Sequence, residues 1–339
     1  MRPSLESFAD HEQASDQRAV ARRLLGEARP FWRQWALVLA LVLMSAIAGA
    51  GAPWLIGRAV DDAILAGDRR ELTILMLPLL GLYLMSALAM RGQIRVVGTV
   101  GQTLLAGLRD RLFGRFLRVP LRFFDRQPVG DLMSRVINDV DTLNQFFSQV
   151  LSQTLGSVFA LAGVIVAMLL LDVRLALVSL AIVPVMLLVT SYFGRRARVV
   201  YRRARETTGD VTAGLQEGDS GGREAQAFNR TGENISRFRE RNAANRDANV
   251  EAVGVSSAFA PAIDVLSTLA IAVVIAYGGY LVVNDALTVG VLTSFVLYVQ
   301  QFFRPLQMLS TMYAQVQAGL AGAERIYAIL DEPAEPADA

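Results

Sequence analysis

Hydrophobic and polar residues are separated into long blocks along this chain. Six stretches of about 18 or more residues carry almost no charge, and the charged residues crowd between them. A helix needs roughly 20 apolar residues to cross a hydrocarbon core of about 30 Å. The pattern predicts six transmembrane helices, at 35–57, 72–90, 146–171, 175–194, 257–283 and from Ala286 past Arg304.

The connections between these spans differ greatly in length. Residues 172–174 and 284–290 form short turns, whereas about 55 and about 60 residues follow spans two and four. Of the 33 basic residues, all of them Arg, 29 lie in the termini and long segments and four in the short connections. Arginine accumulates on the cytoplasmic side of membrane proteins. We therefore expect both termini and both long segments in the cytoplasm.

The long segments themselves have a helical pattern. Between 90 and 119, apolar residues recur every three to four positions, at Ile94, Val97, Leu104, Leu108, Leu112 and Phe116. Span two with this extension makes a rod of roughly 73 Å at about 1.5 Å per residue. The sequence predicts two long helical hairpins with tips at 120–132 and 216–229, far enough from the membrane to dock a soluble partner.

The fold class predicted is an all-α membrane protein with long cytoplasmic extensions. The expected organisation is a disordered start (1–16), an amphipathic interfacial helix (17–33), the six-helix domain (34–325) and the beginning of a linker (326–339). Composition narrows the chemistry. The net charge of +2 argues against a nucleic-acid partner, and the lack of cysteine excludes disulfides and thiolate metal sites. No metal site or catalytic residue is predicted, and since there is no Lys, there is no phosphate-binding loop for ATP.

Two motifs carry a family resemblance. At the first tip, Phe123-Phe124-Asp125 is followed by Gly130-Asp131-Leu132, by Ser134-Arg135-Val136 and by Asp139; near the end the sequence runs Gly322-Ala-Glu-Arg-Ile-Tyr-Ala-Ile-Leu-Asp-Glu-Pro333. Over about residues 18–333, these motifs and the span order resemble the transmembrane domain of ABC exporters, of the bacterial multidrug and lipid type.

The resemblance implies a bacterial inner-membrane protein that pairs with a second membrane half, as a homo- or heterodimer. Its tips would carry coupling helices seated in clefts of ATPase domains, which bind ATP and Mg²⁺ and are either cut off from this chain or encoded separately. The substrate would be amphipathic, a drug-like compound or a lipid. The implied coupling residues are Phe123, Phe124, Asp125, Gly130, Asp131, Glu217, Gly221, Arg223 and Phe228.

The tips leave alternatives open. Phe123 and Phe124 are predicted as an exposed aromatic pair, and the alternative is that they pack on their own hairpin. The second tip departs from the family pattern, because Asp219 and Gly222 stand where apolar side chains are expected. Either this tip couples weakly or the site has been altered. Arg223 lies four residues after Asp219 and is placed to pair with it on a helix.

Polar residues also occur at membrane depth. Stripes at helical spacing line one face of span three (Gln145, Gln149, Ser152) and of span six (Gln300, Gln307, Thr311). They predict either a translocation cavity or hydrogen bonding between helices. For Asp264 and Arg304 we favour a structural ion pair over a gate or proton site.

Two rival functions remain at this stage. An ion-coupled secondary transporter would use Asp264, but such carriers break their helices at mid-membrane, and here the breaks are predicted at the tips. A membrane scaffold that transports nothing would not need the polar stripes. The exporter interpretation fits both observations.

Overall fold

The computed structural model describes residues 17–120, 123, 135–147 and 152–333, with the backbone alone at 17, 18, 25, 135, 136, 152, 219–222, 224, 304 and 306–314. These residues are almost entirely helical and contain no strand. The α-helices are α1 (Gln17–Ala28), α2 (Trp32–Arg58), α3 (Arg69–Phe116), α4 (Val140–Gln145), α5 (Ser152–Leu171), α6 (Val173–Leu180), α7 (Ile182–Ala227), α8 (Thr231–Val283) and α9 (Val289–Asp331). A 3₁₀ turn (Arg29–Phe31) and two π-helical segments (Ala59–Ile64 and Arg135–Asp139) link or precede them.

Among the described residues, five helices are long and apolar enough to cross a membrane, and Val289–Phe303 of α9 is a shorter apolar stretch. The predicted all-α membrane architecture is thereby confirmed. On α3, the residues facing away from the protein recur at helical spacing, and Leu77, Leu80, Leu84 and Leu88 are each more than half exposed. A leucine stripe with that exposure is stable only against lipid or another apolar surface.

The chain divides into two compact units: the residues up to Val173 together with those from Gly279 onward, and the segment Arg174–Gly278. In the first unit, α2 packs against α3, α5 and α9. Its arginine-rich end holds a large core, here called the basal core, formed by Leu24, Val100, Leu104, Leu105, Leu108, Leu112, Val119, Phe123, Val140, Leu143, Phe147, Leu320, Ala323, Ile326, Tyr327 and Ile329. The periodic apolar face predicted for the extension of α3 therefore lies buried in this core.

Helix α1 is part of the same core. Leu24 is buried against it, and Val20 and Ala21 pack at its edge. The apolar side of the amphipathic segment predicted at 17–33 therefore packs, within α1, against the basal core.

The second unit is built differently. Its α7 and α8 bury a narrow seam of Val200, Ala204, Ala248 and Ala252, with Val255 at the edge. Small side chains bring the two helix backbones close but remove little apolar area from water. Polar contacts supply much of the remaining pairing, as described below.

Candidate functional sites at the ends of the helices

The two sequence motifs meet in space through one ion pair. Asp139 lies before α4 and is almost fully buried, and its carboxylate accepts hydrogen bonds from Nε and Nη2 of Arg325 at 2.9 and 2.7 Å. Gly322, one helical turn before Arg325, packs against Asp139, so a Cβ there would lie 3.4 Å from the Asp139 carbonyl oxygen. A two-bond Arg–carboxylate pair fixes orientation as well as distance. The chain just after the first tip is therefore held to α9.

A second set of contacts joins the first and last helices. Both Nη atoms of Arg23 donate to Asp331, at 2.5 and 2.8 Å, and its guanidinium lies 4.1 Å from the centroid of the Tyr327 ring. The hydrogen bond from Arg23 lowers the pKa of Asp331 below its ordinary value. Arg111 of α3 donates to Glu27 of α1 at 2.8 Å. Together these pairs tie α1, α3 and α9 into one corner.

Tyr327 stands at the centre of that corner. Burial raises the pKa of its phenol to about 12. Its hydroxyl is buried, and within the described part of the chain it finds no hydrogen-bond partner. A buried hydroxyl without a partner costs free energy, so the Tyr327 side chain is positioned by contact between its ring and the Arg23 guanidinium and not by a hydrogen bond of its hydroxyl.

At the first tip, the structure describes one of the predicted coupling residues. Phe123 is only 8% exposed and belongs to the basal core, and its backbone N–H donates to the carbonyl of Pro120 at 2.9 Å. The expected exposure of Phe123 is therefore wrong, because its ring gains more from the adjacent leucine core than from water. Phe124, Asp125, Gly130 and Asp131 lie outside the described residues, and the coupling role of this tip stays a prediction.

At the second tip, α7 continues through Gly221 and Gly222 and ends only at Ala227. The reversal occupies 228–230, where Asn229 adopts a left-handed backbone (φ 54°) and the N–H of Arg230 bonds to the carbonyl of Ala225 at 2.8 Å. Asn is one of the few residues that tolerates this conformation at a helix C-terminus. Phe228, a predicted coupling residue, is 77% exposed beside it.

Glu217, another predicted coupling residue, lies on α7 and pairs with Arg241 of α8, with Nη1 to Oε2 at 3.2 Å. Gly214 allows Arg241 to approach, since a Cβ there would lie 2.9 Å from Nη1. Below the reversal, α7 and α8 enclose a cavity of about 530 Å³, with Leu215, Phe238 and Arg241 in its wall. The structure does not describe the side chain of Asp219, so its pairing with the exposed Arg223 stays a prediction.

Of the six predicted cavity residues, two have described side chains. Gln145 and Gln300 are both exposed, and Gln300 borders a cavity of about 150 Å³ with Tyr83 and Leu297. Gln149 and the side chains of Ser152, Gln307 and Thr311 are outside the described set. The cavity role of both stripes stays a prediction.

Sequence reasoning missed two other polar residues in this region. Gln93 and Gln301 share a cavity of about 80 Å³ with Ser45, whose hydroxyl is 3.2 Å from that of Ser86. Gln301 escaped notice because it lies one position outside the Gln300 stripe, and Gln93 because it falls just beyond the predicted end of span two.

The predicted ion pair between Asp264 and Arg304 stays a prediction. The Asp264 side chain is exposed, and its backbone carbonyl accepts a hydrogen bond from Thr268 at 2.9 Å. The side chain of Arg304 is outside the description.

At the opposite end of the first unit, α2 and α9 are in backbone contact. The Asp61 carboxylate accepts hydrogen bonds from the Thr288 hydroxyl at 2.5 Å and from the Gly290 N–H at 2.6 Å. The backbones of Gly57 and Gly290 touch, leaving no room for a Cβ on either. Within the span, Ser294 and Tyr298 donate to the carbonyls of Pro53 and Ala50 at 2.9 and 2.5 Å. Asp61 was not singled out from the sequence, because an acidic residue in a short connection reads as an ordinary solvated charge.

The sequence itself supplies the observation that settles the family. Residues 35–306 match the family described as the ABC transporter transmembrane region. This chain belongs to that family. The match includes α3 to α8 entirely, most of α2 and the first part of α9, and it leaves α1 outside.

Several relatives extend the comparison. The chain is 30% identical, over 97% of its length, to an uncharacterised ABC transporter ATP-binding protein of Bacillus subtilis, of which it covers 56%. It is 28% identical, over 92% of its length, to an ATP-dependent lipid A-core flippase of Syntrophus aciditrophicus, covering 52% of that protein. A fatty acid ABC transporter ATP-binding/permease protein of Mycobacterium tuberculosis is 34% identical over 76% of this chain, which covers 41% of it. The chain thus spans about half the length of the relatives it matches.

Proposed function

We propose that this ABC transporter transmembrane domain forms one half of an ATP-driven exporter that moves amphipathic small molecules or lipids out of the cytoplasm or the inner leaflet. The observation that carries the proposal is the length of the helices. α7 and α8 contain 46 and 53 residues, or roughly 69 and 80 Å at about 1.5 Å per residue. A bilayer core of about 30 Å uses less than half of either rod.

The parts outside the bilayer are suited to transmit force. α3 extends into the basal core, and the Asp139–Arg325 pair holds the segment after the first tip to α9. An ATPase domain that binds the tips would then act on a packed unit, and its closure would move the spans as a lever. In this proposal the coupling residues are those predicted at the two tips, two membrane halves pair, and both termini are cytoplasmic.

The substrate class is supported by the relatives. The two whose names state a cargo refer to lipid A-core and to fatty acid. Both cargoes combine long alkyl chains with a polar head. We propose the same chemistry for this chain, with Gln300, Gln301 and Gln93 among the polar groups that meet the head.

The test is transport by the complete transporter that contains this chain, reconstituted in proteoliposomes with ATP. We expect ATP-dependent movement of a fluorescent phospholipid or fatty acid across the bilayer, measured by quenching of the fluorophore left outside. Gln300→Leu should reduce substrate-stimulated ATP hydrolysis, while the control Gln34→Leu, at an exposed position near the start of α2 and outside both tips and both polar stripes, should not affect it. Movement that needs a proton gradient and ignores ATP would overturn the proposal.

A further inference from the structure

A cavity of about 390 Å³ lies beside the C-terminal end of α3, and arginines dominate its wall. Arg111, Gly114, Arg115 and Arg118 line one side and Leu330 of α9 lies on the other. The three arginines are spaced by four and three residues, which places them on one face of the chain. Gly114 between them has open space where a side chain would be. The volume falls at the small end of the range for ligand sites, about 300–1,000 Å³.

Charge in this cavity is not balanced. Arg111 is paired with Glu27, and Asp331 is paired with Arg23. Among the described residues no carboxylate lies within 4.0 Å of the guanidinium of Arg115 or of Arg118. Within the described residues, four arginines share this corner with two paired carboxylates, and positive charge is in excess among them.

Arg115 is also incompletely bonded. Its Nε is buried, and the part of the chain that the structure covers offers it no hydrogen-bond acceptor. A buried charged donor without an acceptor is costly, and native proteins rarely leave one without a partner. An anion in the cavity would give the guanidinium of Arg115 an acceptor that the described residues do not supply.

We propose that this cavity binds a phosphate-bearing anion, held by Arg115 and Arg118 with Arg111 adding charge. The planar guanidinium presents paired N–H donors that match two oxygens of a phosphate group. A bare phosphate does not fill the volume, so the cavity has room for an organic part against Leu330. Arg115 lies 25 residues beyond Met90, or about 37 Å along α3. That distance favours a soluble phosphate compound over a lipid head group.

A simpler role for the arginines accounts for only part of this. Basic residues near a helix C-terminus interact favourably with its free carbonyl groups. Here, however, the N–H groups of Leu117 and Arg118 already bond to the carbonyls of Phe113 and Arg115. That role needs neither three arginines on one face nor a cavity between them.

The test measures binding to the 339-residue chain in detergent, with inorganic pyrophosphate as the soluble probe and calorimetry as the readout. In a second arm, the chain is placed in nanodiscs of phosphatidylglycerol or of phosphatidylcholine, and retained lipid is counted by native mass spectrometry. We expect saturable binding of pyrophosphate. Arg115→Gln and Arg118→Gln should each weaken it about tenfold, in line with one lost charge-assisted hydrogen bond.

The matched control is the double substitution Arg202→Gln with Arg205→Gln. These two arginines of α7 are exposed and, like Arg115 and Arg118, lie three residues apart. Replacing both removes the same charge as the double variant Arg115→Gln with Arg118→Gln. Selective retention of phosphatidylglycerol, lost in the cavity pair alone, would assign the phosphate to a lipid head group. Absence of saturable binding in both arms, or equal loss in the two double variants, would overturn the proposal. Thermal unfolding without ligand checks that each variant is folded.

Discussion

The two extramembrane regions of this domain are stabilised in different ways. In the first unit, the extension of α3 buries a row of leucines in the basal core, and two of them, Leu105 and Leu112, have no exposed surface. In the second unit, α7 and α8 meet through an alanine-rich seam and a series of polar contacts. Those contacts include Arg196 and Arg203 with Glu251, and Asn245 with the hydroxyls of Thr207 and Thr208.

This difference has a physical consequence. Burial of leucine contributes about 1.5–3 kcal/mol per side chain and is not weakened by electrostatic screening. Exposed ion pairs contribute about 0–1 kcal/mol each and are screened by salt. We therefore expect the first unit to be the more rigid of the two. Local opening of the second unit should cost less free energy. The predictions below test that contrast, from the largest effect to the smallest.

The first prediction shortens one buried apolar side chain in each unit. Leu105→Ala in the basal core should destabilise the first unit by about 2–5 kcal/mol, because Leu105 is fully buried and leaves a cavity. Val200→Ala in the seam should cost less, since a smaller side chain is lost. Hydrogen exchange of α3 and α7 measures both. Equal losses would contradict the contrast.

The second prediction breaks the pair that joins the two motifs. Arg325→Gln should cost about 1.5–3 kcal/mol, because Asp139 is buried and loses both charge-assisted bonds. The double variant with Asp139→Asn should recover part of that loss, since no buried charge then remains unpaired. We expect faster hydrogen exchange of α4 in Arg325→Gln but not in the double variant. If Arg325→Gln left α4 unchanged, the pair would have no structural role.

The third prediction concerns the reversal at the second tip. Asn229→Ala should destabilise the turn by about 1 kcal/mol, because Ala lacks the local hydrogen bonding that lets Asn adopt a positive φ. Asn229→Gly is the control and should be close to neutral. Hydrogen exchange of residues 222–234 measures the effect. A larger loss of stability for Asn229→Gly than for Asn229→Ala would show that the positive φ is not the cause.

The fourth prediction uses salt. Raising the salt concentration from about 0.1 to 1 M shortens the screening length from about 10 to 3 Å. Exchange should accelerate in α7 and α8 by a few-fold, and the α3 segment of the basal core should change little. Glu251→Gln should remove part of the salt response, because Glu251 forms ion pairs with two arginines, Arg196 and Arg203.

The fifth prediction is the pH response of the corner between α1 and α9. The pKa of Asp331 is lowered in the folded chain, so its contribution is present above about pH 4 and is lost as pH falls through the lowered value. Exchange of α1 should accelerate below about pH 4, by a small factor, since Asp331 is 59% exposed. Asp331→Asn should abolish the response, and a response that survives would place its origin elsewhere.

The sequence predicted the elements well because their signals are local. The periodicity of Leu104, Leu108 and Leu112 predicts a helix with one apolar face, and that face is buried in the basal core. The spans and their order follow from charge-free length in the same way.

Contacts between distant residues could not be predicted. Asp139 and Arg325 are 186 residues apart, and nothing in either motif specifies the partner of the other. The exposure of Phe123 was misjudged for a related reason, since a polar flanking sequence does not reveal a leucine core supplied by other helices. The glycines at 221 and 222 raise the cost of a helix by only about 1 kcal/mol each, which the surrounding turns of a 46-residue helix can absorb.

The pair between Arg23 and Asp331 brings together residues 308 positions apart. A domain whose first and last helices meet can be closed into a ring by a few linking residues, since about 9 Å of helix separates Arg23 from Gln17. New ends could then be cut at the exposed reversal around Asn229, where surface loops tolerate a break. Such a circular permutant would keep its spans, and would show whether the order of synthesis matters for their insertion.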